Sequence, residues 1–127
     1  VRNLSPVLDG DFPRPTIVEI ENWGTAPGIC VLVTYVALQE RDVDSFLVQV
    51  EFGNDTDQQI GYTDEEFFLV LADERVVGAR ISPTPVRYIL ARSTYVDHFE
   101  FPVDGESTRE FVWRHPGSEE IRVKLVY

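Results

Sequence analysis

The stretch DSFLVQVEF, residues 44–52, alternates without a break, with Phe46, Val48, Val50 and Phe52 on one side and Leu47, Gln49 and Glu51 on the other. A period of two marks a strand with one face buried. Nowhere does the chain set apolar residues at helical spacing over three turns. TIVEIE (16–21), ICVLVTYVAL (29–38), VRYILA (86–91) and TYVDHFEF (94–101) repeat the strand pattern. EEFFLVLADERVVGARI (65–81) reads as two strands hinged at Ala72-Asp73-Glu74, and STREFVWR with EEIRVKLVY forms a last hairpin around His115-Pro116-Gly117-Ser118. Between them lie the turn clusters NWGTAPG (22–28), SPTP (82–85) and PVDGE (102–106), the last with the hairpin signal Asp104-Gly105. Eight or nine short strands of this kind predict an all-β fold: two antiparallel sheets packed face to face as a sandwich, with a closed barrel as the alternative.

At 127 residues and 43% hydrophobic content, the chain suits one domain spanning 1–127. Residues 1–15, VRNLSPVLDGDFPRP, carry three prolines and no periodicity, which predicts an extended N-terminal arm. The longest apolar run, 29–38, falls short of the ~18 residues of a membrane span, so no membrane insertion is expected. Asp and Glu number 22 against 11 Lys and Arg, a net charge of −11 that repels phosphate backbones and anionic lipid. Nucleic acid is therefore not an expected partner. Lys124 is the only lysine. A surface rich in carboxylate and poor in lysine suits salt adaptation, and coding that favours Arg gives the same imbalance.

Two histidines, His98 and His115, and one cysteine, Cys30, accompany no nucleophile-elbow, zinc-protease or phosphate-loop motif. No enzyme is expected. Cys30 heads the most apolar strand, where a buried inert thiol is the usual state, and a lone cysteine forms no intrachain disulfide. Carboxylate pairs such as Glu19/Glu21 and Asp55/Asp57 read as solvated surface. The segment GNDTDQQIGYTDEE (53–66) holds the one ligand-like spacing. Counted from Asp55, oxygen-bearing side chains fall at Asp55, Asp57, Gln59, Thr63 and Glu66, with the Gly61 carbonyl between, in imitation of a calcium loop. Ile60 stands where the sharp turn wants glycine. Asn3 and Asn54 lie in N-x-[ST] sequons and are candidate glycan acceptors, while Asn54 at a strand exit also suits a turn. Trp113 is expected in the core. Trp23, inside a Gly/Pro cluster, is the candidate partner-binding aromatic, with a plug at the sandwich end as its alternative role.

FLVQVEFGNDTDQQI (46–60), EEFFLVLADERVVGARI (65–81) and HFEFPV (98–103) together resemble the secreted immunoglobulin-like domains of the telokin-like and immunoprotective extracellular protein group of bacteria and archaea. The usual glycine of the acidic turn is absent at 72–75. The resemblance implies an exported β-sandwich without catalytic residues, extracellular or at a cell surface. The functional expectation is a non-enzymatic module for protein–protein interaction. A structural subunit of a filament, pilus or virion, self-assembling through the arm or through edge strands such as IRVKLVY, is the alternative. A loop-based calcium-dependent or glycan-binding domain is a further one. The chain opens on Val1 without any Met, a start left equally by signal cleavage, by initiator removal or by an expression boundary.

Overall fold

The computed structural model describes residues 16–39, 45–83, 86–103 and 107–127. The arm 1–15 with Asn3, and the turn at Asp104-Gly105, lie outside the described residues. Ten strands follow one another: β1 Thr16–Ala26, β2 Ile29–Gln39, β3 Ser45–Asn54, β4 Ile60–Tyr62, β5 Phe67–Leu71, β6 Val76–Gly78, β7 Arg87–Ile89, β8 Ser93–Phe101, β9 Thr108–Trp113 and β10 Ile121–Lys124. A single 3-10 turn, Asp64–Glu66, leads into β5. The strand count exceeds the expected eight or nine through β4, a three-residue strand inside the segment 53–66.

Two antiparallel sheets form the sandwich. The first runs β1-β2-β3-β8, the second β10-β9-β5-β6, and β4 pairs with β7 apart from both. The β3–β8 pairing and the order β10-β9-β5-β6 are those of an immunoglobulin-like sandwich, with β6 extending the second sheet as in variable-type domains, whereas the first sheet departs from that fold in running through the consecutive strands β1-β2-β3. The predicted inward set Phe46, Val48, Val50 and Phe52 is fully buried. It meets Phe67, Leu69, Phe99, Phe111 and Trp113 in an aromatic core, where the Phe67 ring stacks 4.0 Å from Phe99 and 5.5 Å from Trp113.

One residue of β2 changes the parity of its strand. Val31 and Val33 point inward, then Val36 does, because the β2–β3 register slips between Val33 and Tyr35. Thr34 fills that bulge, and its hydroxyl donates to the Gln49 carbonyl at 3.3 Å and accepts from the Gln49 amide at 3.1 Å.

The expected turn over 22–28 is corrected. β1 continues through it to Ala26, and only Pro27-Gly28 turn the chain, with Gly28 at φ +78° in the pattern of a type II turn. Gly24 serves instead as a crossing point: a Cβ there would lie 2.7 Å from the Arg122 carbonyl oxygen, so its absence lets β10 pass over β1. The missing glycine of the acidic turn has a counterpart too. Glu74 itself takes the left-handed conformation, φ +70°, between β5 and β6.

The β3–β8 ribbon does not stop at Asn54 and Ser93. It bends at 55–59 and 90–92 and continues as β4–β7, folded over one end of the sandwich. Tyr62 is thereby driven into the core, 5.1 Å from Phe52 and 5.5 Å from Phe67.

Candidate functional site

Two regions gather chemistry-bearing side chains: the corner beneath β4–β7, and the outer face of β1-β2-β3-β8.

At the corner, β7 turns Arg87 inward between two carboxylates. Its Nη2 lies 2.5 Å from Asp64 Oδ1 and its Nε 2.5 Å from Asp97 Oδ2. All three side chains are 6–12% exposed. Asp64 also accepts from the Ser82 backbone N–H at 2.8 Å, and Asp97 from the Tyr62 hydroxyl at 2.6 Å and the His98 N–H at 2.7 Å. The guanidinium lies 5.2 Å from the Tyr62 ring centre and 5.6 Å from that of Phe99. Burial alone would push the Asp64 carboxyl up, but the hydrogen bonds from Arg87 and Ser82 outweigh it and hold the group below its ordinary range. Burial, followed by the bond to Asp97, raises the Tyr62 hydroxyl far above its usual value. Burial also works against the charge on Arg87, but its bonds to Asp64 and Tyr62 and the charge of Asp97 prevail and raise it. A cleft of about 400 Å³ opens beside this group, with Arg80, Ile81, His98 and Glu100 at its rim. Every named polar group on its floor is engaged by protein, and the Arg80–Glu100 pair at 3.0 Å closes the rim. The corner's chemistry is that of a satisfied structural ion network, placed where an unpaired charge would be costly.

The outer face of β1-β2-β3-β8 is built differently. Trp23, Leu32, Glu51 and Val96 stand opposite one another on successive strands and form one outward row. Glu19, Tyr35, Gln49 and His98 form the next. Trp23 and Val96 are each 53% exposed. The Trp23 indole nitrogen donates to Glu21, 3.3 Å away. The four strands contain neither Lys nor Arg. The second sheet, by contrast, covers its outer face with a paired ladder. Arg122 bonds Glu110 at 3.2 Å and Glu120 at 2.6 Å, Arg114 bonds the same Glu120 at 2.6 Å, and the Arg114 guanidinium lies 4.8 Å over Phe68. These bonds to Arg114 and Arg122 lower the Glu120 carboxyl.

The sequence-predicted residues fall as follows. Trp113 is core, as expected, and Trp23 lies on the open face rather than at the sandwich end. The five calcium-loop side chains are not gathered. Asp55 and Asp57 both pair with Arg92, at 2.9 and 2.8 Å, which places a cationic side chain between them. Glu66 points elsewhere, accepting from Trp113 Nε1 at 3.1 Å and the Thr63 N–H at 2.8 Å, with His115 Nδ1 at 2.6 Å. Strand β4 starts at Ile60 and straightens the chain just where a calcium loop must curl; Gln59 is exposed beside it and Thr63 lies beyond its far end. Among the described residues no group of three or more His, Cys, Asp or Glu side chains is arranged to hold a metal.

Asn54 is corrected as a glycan acceptor. It is 3% exposed, its amide donates to the carbonyls of Gln58, Ile89 and Leu90 at 2.8–3.2 Å, and its Oδ1 accepts from the Thr56 N–H at 3.0 Å and hydroxyl at 2.7 Å. A sugar on that nitrogen would break the ribbon's bend. Cys30 is half-buried, not fully buried, with its Sγ against Gly53. Reading the sequence missed the Asp64–Arg87–Asp97 group, whose one visible trace is an arginine at an alternate position of an otherwise apolar strand, VRYIL.

No protein-family model matches the chain, and no curated protein matches it in sequence. Solved structures do share its architecture. A functionally unknown protein from Listeria monocytogenes EGD-e matches with a TM-score of 0.63 at 9% identity, over 91% of this chain and 88% of that one. The secreted protein MPT63 from Mycobacterium tuberculosis matches with a TM-score of 0.48 at 11% identity, over 78% of this chain and 87% of that one. The first likeness is one of fold alone.

Proposed function

We propose that this domain is a non-enzymatic, exported β-sandwich module that binds another protein through the outer face of β1-β2-β3-β8. The observation that carries the reading is the Trp23 row. A tryptophan half open to solvent, on a regular strand and beside Leu32 and Val96, has the composition of the centre of a protein interface. The rigid sheet beneath holds these side chains in place, so little ordering is left for the binding step. The non-enzymatic reading is supported by the corner, where Tyr62, Asp64, Arg87 and Asp97 are bonded to one another. Export is supported by the resemblance of 46–60, 65–81 and 98–103 to secreted domains.

A displayed library of random peptides, selected on the domain and counter-selected on Trp23→Ala, tests the binding face. Peptides that bind the native domain and lose about tenfold or more in affinity on the variant are expected. Selection of no Trp23-dependent peptide, or Trp23-dependent retention of oligosaccharides in its place, overturns the reading.

A further inference from the structure

We infer that a second copy of this chain pairs with the edge of β8, two-fold about Val96, so that the β1-β2-β3-β8 sheets of the two copies join into one. The inference goes beyond the Trp23 face and rests on a separate observation, the state of one sheet edge. β8 ends the order β1-β2-β3-β8, and its register against β3 runs without a shift from Ser93 to Phe101. It carries no Lys, Pro or bulge, the devices that usually blunt an edge. The other edges are short or covered. β6 has three residues and β10 four. β1 breaks register between Glu19 and Asn22, and β10 crosses it at Gly24. Five of the ten large apolar side chains exposed among the described residues lie on the strip formed by β7 and β8: Val86, Tyr88, Leu90, Tyr95 and Val96. That strip is where burial has most to gain.

The backbone groups of this edge complement themselves. The Glu100 carbonyl turns away from β3, where it accepts from the Arg80 N–H at 2.8 Å. In an antiparallel strand the N–H and C=O of one residue point to the same side, and the side alternates along the chain. His98, Val96 and Thr94 therefore face the edge as well. Asp97 Oδ1 holds the His98 N–H at 2.7 Å. Among the described residues no strand pairs with the groups that remain, the N–H and C=O of Thr94 and Val96 and the C=O of His98. A second β8, antiparallel and centred on Val96, meets them. Val96 and the partner's Val96 exchange both bonds, and the Thr94 N–H donates to the carbonyl of the partner's His98. Centring on Tyr95 would set His98 against the partner's Arg92, whose N–H is already given to Thr56. The chosen register also lays valine beside valine and threonine beside histidine, with no like charges opposed. A cleft of about 400 Å³ beside His98 and Glu100 leaves room for the end of the added strand. The outward row Trp23, Leu32, Glu51, Val96 then runs on across the seam, and one face carries two tryptophans.

Sedimentation equilibrium of the full chain, across protein and salt concentration, tests the pairing. A monomer–dimer equilibrium is expected, and it should tighten as salt rises, because each copy carries a net charge of −11. Val96→Pro removes an N–H that faces the edge rather than β3, a place where strands accept proline. It should give a monomer that is still folded by far-UV circular dichroism. If the proline unfolds the domain, Val96→Lys decides: it sets two like charges at the two-fold and should raise the dissociation constant about tenfold or more. Trp23→Ala, on the far strand of the sheet, should leave the equilibrium unchanged. A chain that stays monomeric at every protein and salt concentration overturns the inference. So does a dimer that survives in a folded Val96→Pro or Val96→Lys variant, or one that Trp23→Ala disperses. None of these outcomes decides the binding of other proteins at the Trp23 face, which the selected peptides test.

Discussion

The corner under β4–β7 and the outer face of β1-β2-β3-β8 are made of the same materials, carboxylates beside aromatic rings, and the molecule treats them in opposite ways. At the corner, Asp64 and Asp97 enclose Arg87 against Tyr62 and Phe99, and the group is buried and fully bonded. On the face, Glu21 and Glu51 accompany Trp23 and Val96 in solvent, with no arginine on any of the four strands. A chain that supplies its own cation closes a site and gains structure. The face instead keeps its aromatic ring half open to solvent. The corner should therefore respond to substitution with lost stability, and the face with lost binding.

The largest effect should come from Arg87→Ala. Two carboxylates then remain buried without a counter-charge, and the loss expected in urea unfolding is about 3–5 kcal/mol. A change under 1 kcal/mol would show that the corner is no more committed than the face. Smaller, and readable by pH, is the contribution of Asp64 and Tyr62. The Asp64 carboxyl is held low in the fold, so its stabilisation is present above the unfolded value of about 4 and is lost as pH falls through the folded one. The Tyr62 hydroxyl is raised in the fold, so its share is present below the unfolded value of about 10 and declines as pH rises beyond it. Asp64→Asn should flatten the acid arm of the stability curve and Tyr62→Phe the alkaline arm, each measured by thermal unfolding across pH.

The face predicts the reverse pattern. Trp23→Ala should change stability by no more than about 0.5 kcal/mol, because the ring packs outward. A loss of several kcal/mol would reassign Trp23 to the structural side of the comparison. Smallest of all is Glu51→Gln, a near-isosteric change on the outward side of β3; its expected effect on unfolding lies within about 0.5 kcal/mol in either direction.

Much of the fold can be read along the chain because β3 follows a strict period of two, β8 does so at Phe99 and Phe101, and β5 is a short continuous apolar run, patterns that bury whichever face is apolar. Glycine was the ambiguous letter. Gly24 looks like part of a turn beside Pro27 and Gly28, and only the crossing of β10 over β1 reveals that it makes room for a neighbour rather than bending its own strand. Asn54 carried two readings, sequon and turn, and its burial in the ribbon's bend decides for the second. The calcium spacing failed because ligand offsets count residues whereas a site needs curvature, and β4 runs straight. The Asp64–Arg87–Asp97 group was illegible because its members come together through pairings between distant strands, and local periodicity says nothing about those. The binding face was half legible. Trp23 stood out as a residue, but its neighbours Leu32, Glu51 and Val96 became a row only once the register was known.

With two tryptophans in the chain, one on the face and one in the core, indole N–H resonances offer a paired reporter. Titration of the 15N-labelled domain with a Trp23-dependent peptide from the displayed library, alongside a scrambled peptide of the same composition, measures the central claim directly. The Trp23 indole signal and the amides of Leu32, Glu51 and Val96 should shift with the selected peptide and not with the scrambled one. The Trp113 indole, buried and bonded to Glu66, should stay in place. Equal shifts from both peptides, or shifts spread evenly over other surfaces while the Trp23 indole is unmoved, would contradict the account.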